Sequence, residues 1–539
     1  AYTYDYIYYN QNHPYAADKG RILDRNRFVM TNTIDLYANY NRKIGEDFEL
    51  GAMVGHSFLK TRSRTSYIDA QNYPSPAFDV ASVAANIVDA SAGLSEYAIE
   101  SYFARLSLAY KDRYVVNATI RTDGSSRFAP DCRWGWFPSV SVGWNVSNES
   151  FWNAEKTDLK IRASYGRTGN QDGISNYGWQ ALISGGVNYG GQSGIAISSS
   201  GNDRLTWETA DQYNAGFDLS FLGGKINMIA DVYLKNTNNL LYSKPVHATT
   251  GETSILSNIG SMRNKGVEFT INTHLNLGKV LWSSSFNIAR NVNKLTSLLE
   301  DDLLSIGANR ALKLGRTVGS WYIFRTDGIY QYDGEVPQAL YDKGVRAGDV
   351  KYWDRNGDGN ITDDDRIVTG NPNPKFSGGW NNTFKYKGLE LSLFFTYSYG
   401  NDVYASWMIP GSKPGHTRSL LKAYADNRWT GPGTSDKYPR AIYSYSGWNG
   451  KNSTMYLTDG SFIRLRSVTL GYTFPQRLVS KIHLKGLRVY AQGDNVFLCS
   501  RYPGWDPETS VNLDPRFYGE DNDGVPQPRI FKLGVNITF

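Results

Sequence analysis

Residues 102–121 read YFARLSLAYKDRYVVNATIR. Tyr102, Ala104, Leu106, Leu108 and Tyr110 fall on one side of a period of two, with Arg105, Ser107 and Ala109 on the other. Beyond Lys111-Asp112-Arg113, Tyr114, Val116, Ala118 and Ile120 alternate with Asn117, Thr119 and Arg121. Two alternating runs around a short polar break predict antiparallel strands joined by a tight turn. The pattern recurs at Val140 to Val146, Leu159 to Tyr165, Val267 to Ile271, Leu389 to Tyr397 and Phe531 to Phe539. About 16 such segments occur, centred near residues 5, 37, 53, 104, 117, 142, 162, 213, 231, 269, 285, 381, 394, 467, 491 and 535. Most are near the ~10 residues of a membrane-crossing strand. Tyr102 and Tyr110, Trp380 and Tyr386, and Tyr472 and Phe474 stand near strand ends, as in interfacial aromatic girdles.

The connections carry a second signal. Short ones are 42–47, Lys111 to Arg113, 148–157, Gly223-Gly224, Gly278-Lys279, Lys387-Gly388 and 475–485. Long ones are 10–31, 61–96, 122–135, 168–204, 241–260, 293–374, 400–458 and 498–528. The two kinds alternate along the chain. Short periplasmic turns and long extracellular loops are the pattern of an outer-membrane barrel. The fold expected is all-β, a transmembrane antiparallel β-barrel. The segments 293–374 and 400–458 are its largest extracellular loops. A soluble propeller would repeat at a fixed period, and these loops vary several-fold in length.

Composition agrees. Aromatics make up 14% of the 539 residues, too many for a disordered chain. Mean hydropathy is −0.46, which a polar lumen lowers despite an apolar outer band. No run approaches the ~20 apolar residues of a spanning helix; residues 80–88 (VASVAANIV) come nearest and contain Asn86. Cys132 and Cys499 cannot form a disulfide scaffold. The net charge of +6 is spread along the chain, without the clustered basic face of a nucleic-acid binder. The opening AYTYDYIYYN is already in alternating aromatic pattern and reads as a processed end.

Several stretches resemble the SusC/RagA-type TonB-dependent transporters of Bacteroidetes outer membranes. They are residues 110–144, LKIRASYGRTGNQ at 159–171, RLTWETADQYNAGFDLSF at 204–221, NIGSMRNKGVEFTI at 258–271 and GSWYIFRTDGIYQ at 319–331. The others are residues 348–395, DGSFIRLRSVTLGYTFP at 459–475, DNVFLCSRYPGWDPE at 494–508 and the terminal aromatic Phe539. The likeness covers nearly the whole chain. It implies a barrel of about 22 strands around an N-terminal plug, of which residues 1–539 are the C-terminal part, with the plug absent from this chain. It further implies a SusD/RagB-like surface lipoprotein over the loops, a polypeptide bearing the plug and early strands, and TonB–ExbB–ExbD acting through the plug. Outer-membrane lipid would surround the wall.

One stretch carries metal chemistry. Residues 354–365 read DRNGDGNITDDD. Against a 12-residue calcium loop, Asp354, Asn356 and Asp358 take positions 1, 3 and 5, Gly359 the sharp turn, and Asn360 the carbonyl position. Asp365 stands at position 12, where Glu usually reaches the ion. Hard oxygens at alternate positions suit Ca²⁺ in a structural role, and no helical pattern flanks the loop. A solvated acidic turn is the competing reading. Catalytic motifs are missing: the six His are scattered, and there is no H-E-x-x-H, G-x-S-x-G, P-loop or CxxC. Trp179, Tyr189, Trp407, Trp429 and Trp448 lie in long loops, where they would grip sugars or peptides, or pack the loops themselves.

The reading is a non-enzymatic importer of an oligosaccharide or peptide. A passive 16-stranded porin and a barrel-anchored surface binding protein or enzyme remain as rivals.

Overall fold

The computed structural model describes residues 2–9, 19–153, 156–247, 249, 252, 254–298, 303–411, 419–442, 447–510, 512 and 514–539. Parts of five expected long loops, and residues 154–155 of the 148–157 turn, lie outside these.

Sixteen strands form one sheet, each beside the next in sequence. The first seven are β1 Tyr2–Tyr9, β2 Arg21–Ile44, β3 Phe48–Gln71, β4 Asn86–Tyr110, β5 Tyr114–Ser125, β6 Trp134–Asn145 and β7 Thr157–Asn170. Then come β8 Glu208–Phe221, β9 Ile226–Asn238, β10 Ser261–Leu277, β11 Val280–Ser297 and β12 Phe376–Tyr386. The last are β13 Leu389–Tyr399, β14 Phe462–Thr473, β15 Gly486–Ser500 and β16 Ile530–Thr538. These are the strands the alternation predicts, in the same order. Neighbours such as β4 and β5 run antiparallel, with Leu106 opposite Ala118 and Ser107 opposite Asn117.

The short connections fall where expected. Lys111 to Arg113 turns β4 into β5, with Lys111 and Asp112 at positive φ (52° and 51°). Between β12 and β13, Gly388 has φ +88°, and a Cβ there would run into the Thr473 carbonyl. Only glycine suits that turn.

Strand length departs from expectation. β2, β3 and β4 have 24, 24 and 25 residues, so much of the expected loops 10–31 and 61–96 is strand. At about 3.3–3.4 Å per residue they run about 80 Å, far beyond the ~25 Å apolar band of such barrels. The extensions carry polar residues on both faces, so no period marks them. The backbone ladder and cross-strand ion pairs hold them: Arg21–Asp69 at 2.6 Å, Lys60–Glu96 at 3.5 Å and Arg62–Glu96 at 3.2 Å.

Burial runs opposite to a soluble sheet. The apolar side of the β4–β5 hairpin is the exposed one: Tyr102, Leu106, Leu108, Tyr114, Val116 and Ile120 all face outward. The polar side carries a ladder in which Ser107 Oγ donates to Asn117 Oδ1 at 2.7 Å, and Asn117 Nδ2 to Ser141 Oγ at 3.4 Å. An apolar exposed face over a polar inner one is what lipid outside and water inside select. Near the short turns, Phe48 packs on Tyr110 (ring centroids 4.5 Å) and Tyr472 on Phe474 (4.9 Å).

The chain divides into two packing units: residues 1–143, 164–212 and 237–259, and residues 144–163, 213–236 and 260–539. In the first, Phe128, Phe137, Ile174, Leu205 and Trp207 form a buried cluster at the long-loop ends of the strands. In the second, the buried apolar residues gather in the loops after β11, β13 and β15.

Candidate functional site

The long loops of the second unit build a body of their own. Leu303–Ile306, Arg310–Lys313, Trp321–Phe324 and Arg366–Thr369 form a four-stranded sheet. Leu457–Asp459, Asp402–Ala405 and Glu520–Asp521 form a three-stranded one. One apolar cluster joins Phe324, Ile329, Tyr330, Leu340, Val350 and Tyr352. Another joins Trp321, Ile323, Val403, Tyr404, Tyr456 and Tyr502. These short strands share no single period, which is why the sequence reads them only as loop.

Buried charges fix the loops to one another. Asp349 accepts from Arg440 Nε at 2.8 Å and Asn449 Nδ2 at 3.0 Å. Asp506 receives Arg464 at 2.5 Å, both almost fully buried, and Arg466 pairs with Glu508 at 2.6 Å. Arg310 has no exposed surface, and burial pushes its guanidinium down to about 10. Such desolvated charges require partners. Arg310 finds them in the carbonyls of Gly319, Phe517 and Tyr518.

The acidic loop lies between the strands Val350–Tyr352 and Arg366–Thr369, with no EF-hand helices around it. Asp354 accepts the Gly357 and Gly359 amides at 2.7 and 2.8 Å. Asn356 accepts the Asp358 amide at 3.0 Å, and Asp358 the Asn360 amide at 2.7 Å. Asp365 is fully buried and accepts the amides of Arg355 and Thr362, at 2.9 and 2.8 Å. Lys343 Nζ donates to Asn360 Oδ1 at 2.8 Å. The loop thus coils around its own carboxylates. Among the described residues, no group of three or more His, Cys, Asp or Glu converges as a metal cage.

The loop aromatics divide. Trp429 donates to Gln331 at 3.2 Å, and Trp448 to the Val350 carbonyl at 2.9 Å; both pack on the first loop cluster. Trp179 donates to the Ser126 carbonyl at 3.3 Å. These three hold loops together. Tyr189 is exposed. Trp407 donates to Tyr502 at 3.0 Å and lines a cavity of about 640 Å³ with Leu421, Trp505, Asp521, Asp523 and Val525. Burial, with Asp521 beside it, raises the Tyr502 phenol well above its usual range, so it stays a donor. Trp505 and Asp521 were not singled out by the sequence. The turn Pro503-Gly504-Trp505-Asp506-Pro507 is the signal that a tryptophan is held outward.

Residues 1–496 match the family described as TonB dependent receptor-like, beta-barrel. The chain belongs to this family. It is therefore an outer-membrane protein, in a family of TonB-dependent receptors. It is 30% identical over 536 residues to TonB-dependent receptor P3 of Formosa agariphila, covering 94% of this chain and 52% of that protein. It is 29% identical over 531 residues to TonB-dependent receptor SusC of Bacteroides thetaiotaomicron, covering 94% and 50%. The chain spans about half the length of the curated relatives it matches. The solved RagAB peptide transporter shares the fold, with a TM-score of 0.86 at 23% identity over 100% of this chain and 58% of that one.

Proposed function

We propose that residues 1–539 form most of the wall and the extracellular loops of a TonB-dependent importer for an oligosaccharide or peptide. The observation that carries this is the inverted burial within a family of TonB-dependent receptors: an apolar exposed strand face, and the buried core in the long loops. The loop body is the surface on which a SusD/RagB-like lipoprotein would close. The plug and the remaining strands would be supplied outside these residues, and TonB–ExbB–ExbD would act through the plug. Import here is binding and release without covalent chemistry. The number of strands also suits a passive porin. Uptake of labelled oligosaccharides and peptides by cells with and without TonB separates the two, since only the importer loses uptake with TonB.

The calcium reading is also proposed. Asp354, Asn356, Asp358 and Asp365 with the Asn360 carbonyl would hold Ca²⁺ and stiffen the loop. The alternate oxygens and the buried Asp365 support it. Ca²⁺ would displace the loop's own amides from these carboxylates.

A further inference from the structure

The cavity beside Trp407 has a built wall. Ala405 pairs with Asp521 in the small sheet, and the Asp521 carbonyl accepts Ser406 Oγ at 2.8 Å. Asp521 is 3% exposed. Its oxygens accept the Tyr502 hydroxyl at 2.5 Å and the Gly524 amide at 2.9 Å. Among the described residues, no Lys, Arg or His pairs with it and none lines the cavity. A carboxylate removed from water normally meets a cation. Asp521 shares the cavity lining with two indoles, Trp407 and Trp505. Trp505 is 79% exposed, and Leu421 and Val525 complete an apolar wall. Tryptophan is the best aromatic partner for a cation, more so where water is excluded. Among the described lining residues, Asp521 and Asp523 carry the only ionisable side chains and both are acidic, which favours a cationic ligand.

We infer that the Trp407–Trp505–Asp521 cavity is a capture subsite for a cationic side chain on an apolar stem, such as arginine or lysine in a peptide. Its role rests on the import reading above; its chemistry does not. The methylene stem would lie against Leu421 and Val525, with the charged head between the indoles and Asp521. Uncharged sugars have flat faces for the indoles but leave the carboxylate without a counter-charge.

The test is calorimetry on the purified full-length protein. The probes are a blocked alanine–arginine–alanine peptide, its citrulline counterpart and maltotetraose. The arginine peptide is expected to bind about tenfold or more tightly than either other probe. Trp505→Ala and the near-isosteric Asp521→Asn should each remove that preference, while Tyr189→Ala leaves it. Equal binding of the arginine and citrulline peptides overturns the proposal, as does tighter binding of maltotetraose or a preference that survives both substitutions. Uptake is read separately in cells. Uptake that continues undiminished without TonB, with the arginine preference intact, removes the import reading and leaves the subsite standing.

Discussion

The Arg310 guanidinium lies over the ring of Trp321, with Cζ 4.1 Å from its centroid, and both side chains are fully buried. The same guanidinium donates to Phe517 and Tyr518 carbonyls, at 3.3 and 3.0 Å, so one residue joins the loop after β11 to the loop after β15.

Arg310→Met keeps a stem against Trp321 and leaves buried carbonyls without their donor. It should destabilise the loop body by about 2–4 kcal/mol. Limited proteolysis should then cut within residues 501–529, while the sheet remains assembled on a gel run without boiling. Unchanged protection of that segment would contradict the role.

The exposed apolar face predicts an asymmetry between adjacent residues. Leu106 faces outward, whereas Ser107 bonds Asn117 on the polar side. Leu106→Arg should cost about 2–4 kcal/mol if it sits near mid-bilayer, and Ser107→Arg markedly less. Urea unfolding from lipid vesicles measures both. Equal costs would argue against lipid on the Leu106 side.

The sequence revealed the sheet wherever one face is apolar. Leu106 and Leu108, and Val489 opposite Val535, mark strands because lipid on one side and water on the other enforce a period of two. Where polar residues stand on both faces the period disappears, so residues 21–31, 61–71 and 86–96 read as loop although they are laddered strand. The loop body was illegible for another reason. Its apolar contacts join residues far apart in sequence, such as Trp448 on Tyr352, through segments too short to show a pattern. Of the two roles open to the loop tryptophans, gripping a ligand or packing the loops, Trp429 and Trp448 take the packing one; Trp505 is the exposed tryptophan of the Pro503-to-Pro507 turn.

Calcium binding at residues 354–365 makes a concentration prediction. Titration with Ca²⁺, followed by Tb³⁺ luminescence, should saturate at about 10⁻⁴–10⁻³ M, as in extracellular calcium modules. Asp358→Ala should abolish the signal and leave the sheet intact. Asp365→Ala should also loosen the loop without metal, since the Arg355 and Thr362 amides lose their acceptor. A Tb³⁺ signal that Asp358→Ala leaves unchanged, or no signal at all, identifies a plain acidic turn.

Orientation is tested by single cysteines in a Cys132→Ala, Cys499→Ser background. A cysteine at Asp333 or Val525, in the long loops, should react with a membrane-impermeant maleimide on intact cells. One at Asp112 or Lys279, in the short turns, should react only after lysis. The reverse pattern would invert the assignment of the two rims.

Energised import through this wall stands or falls with its dependence on TonB. The most direct measurement is uptake of labelled glycan and peptide mixtures by cells whose only importer is the full-length protein, compared with and without TonB. Uptake should be lost when TonB is removed; uptake that continues undiminished without TonB would show a passive pore instead.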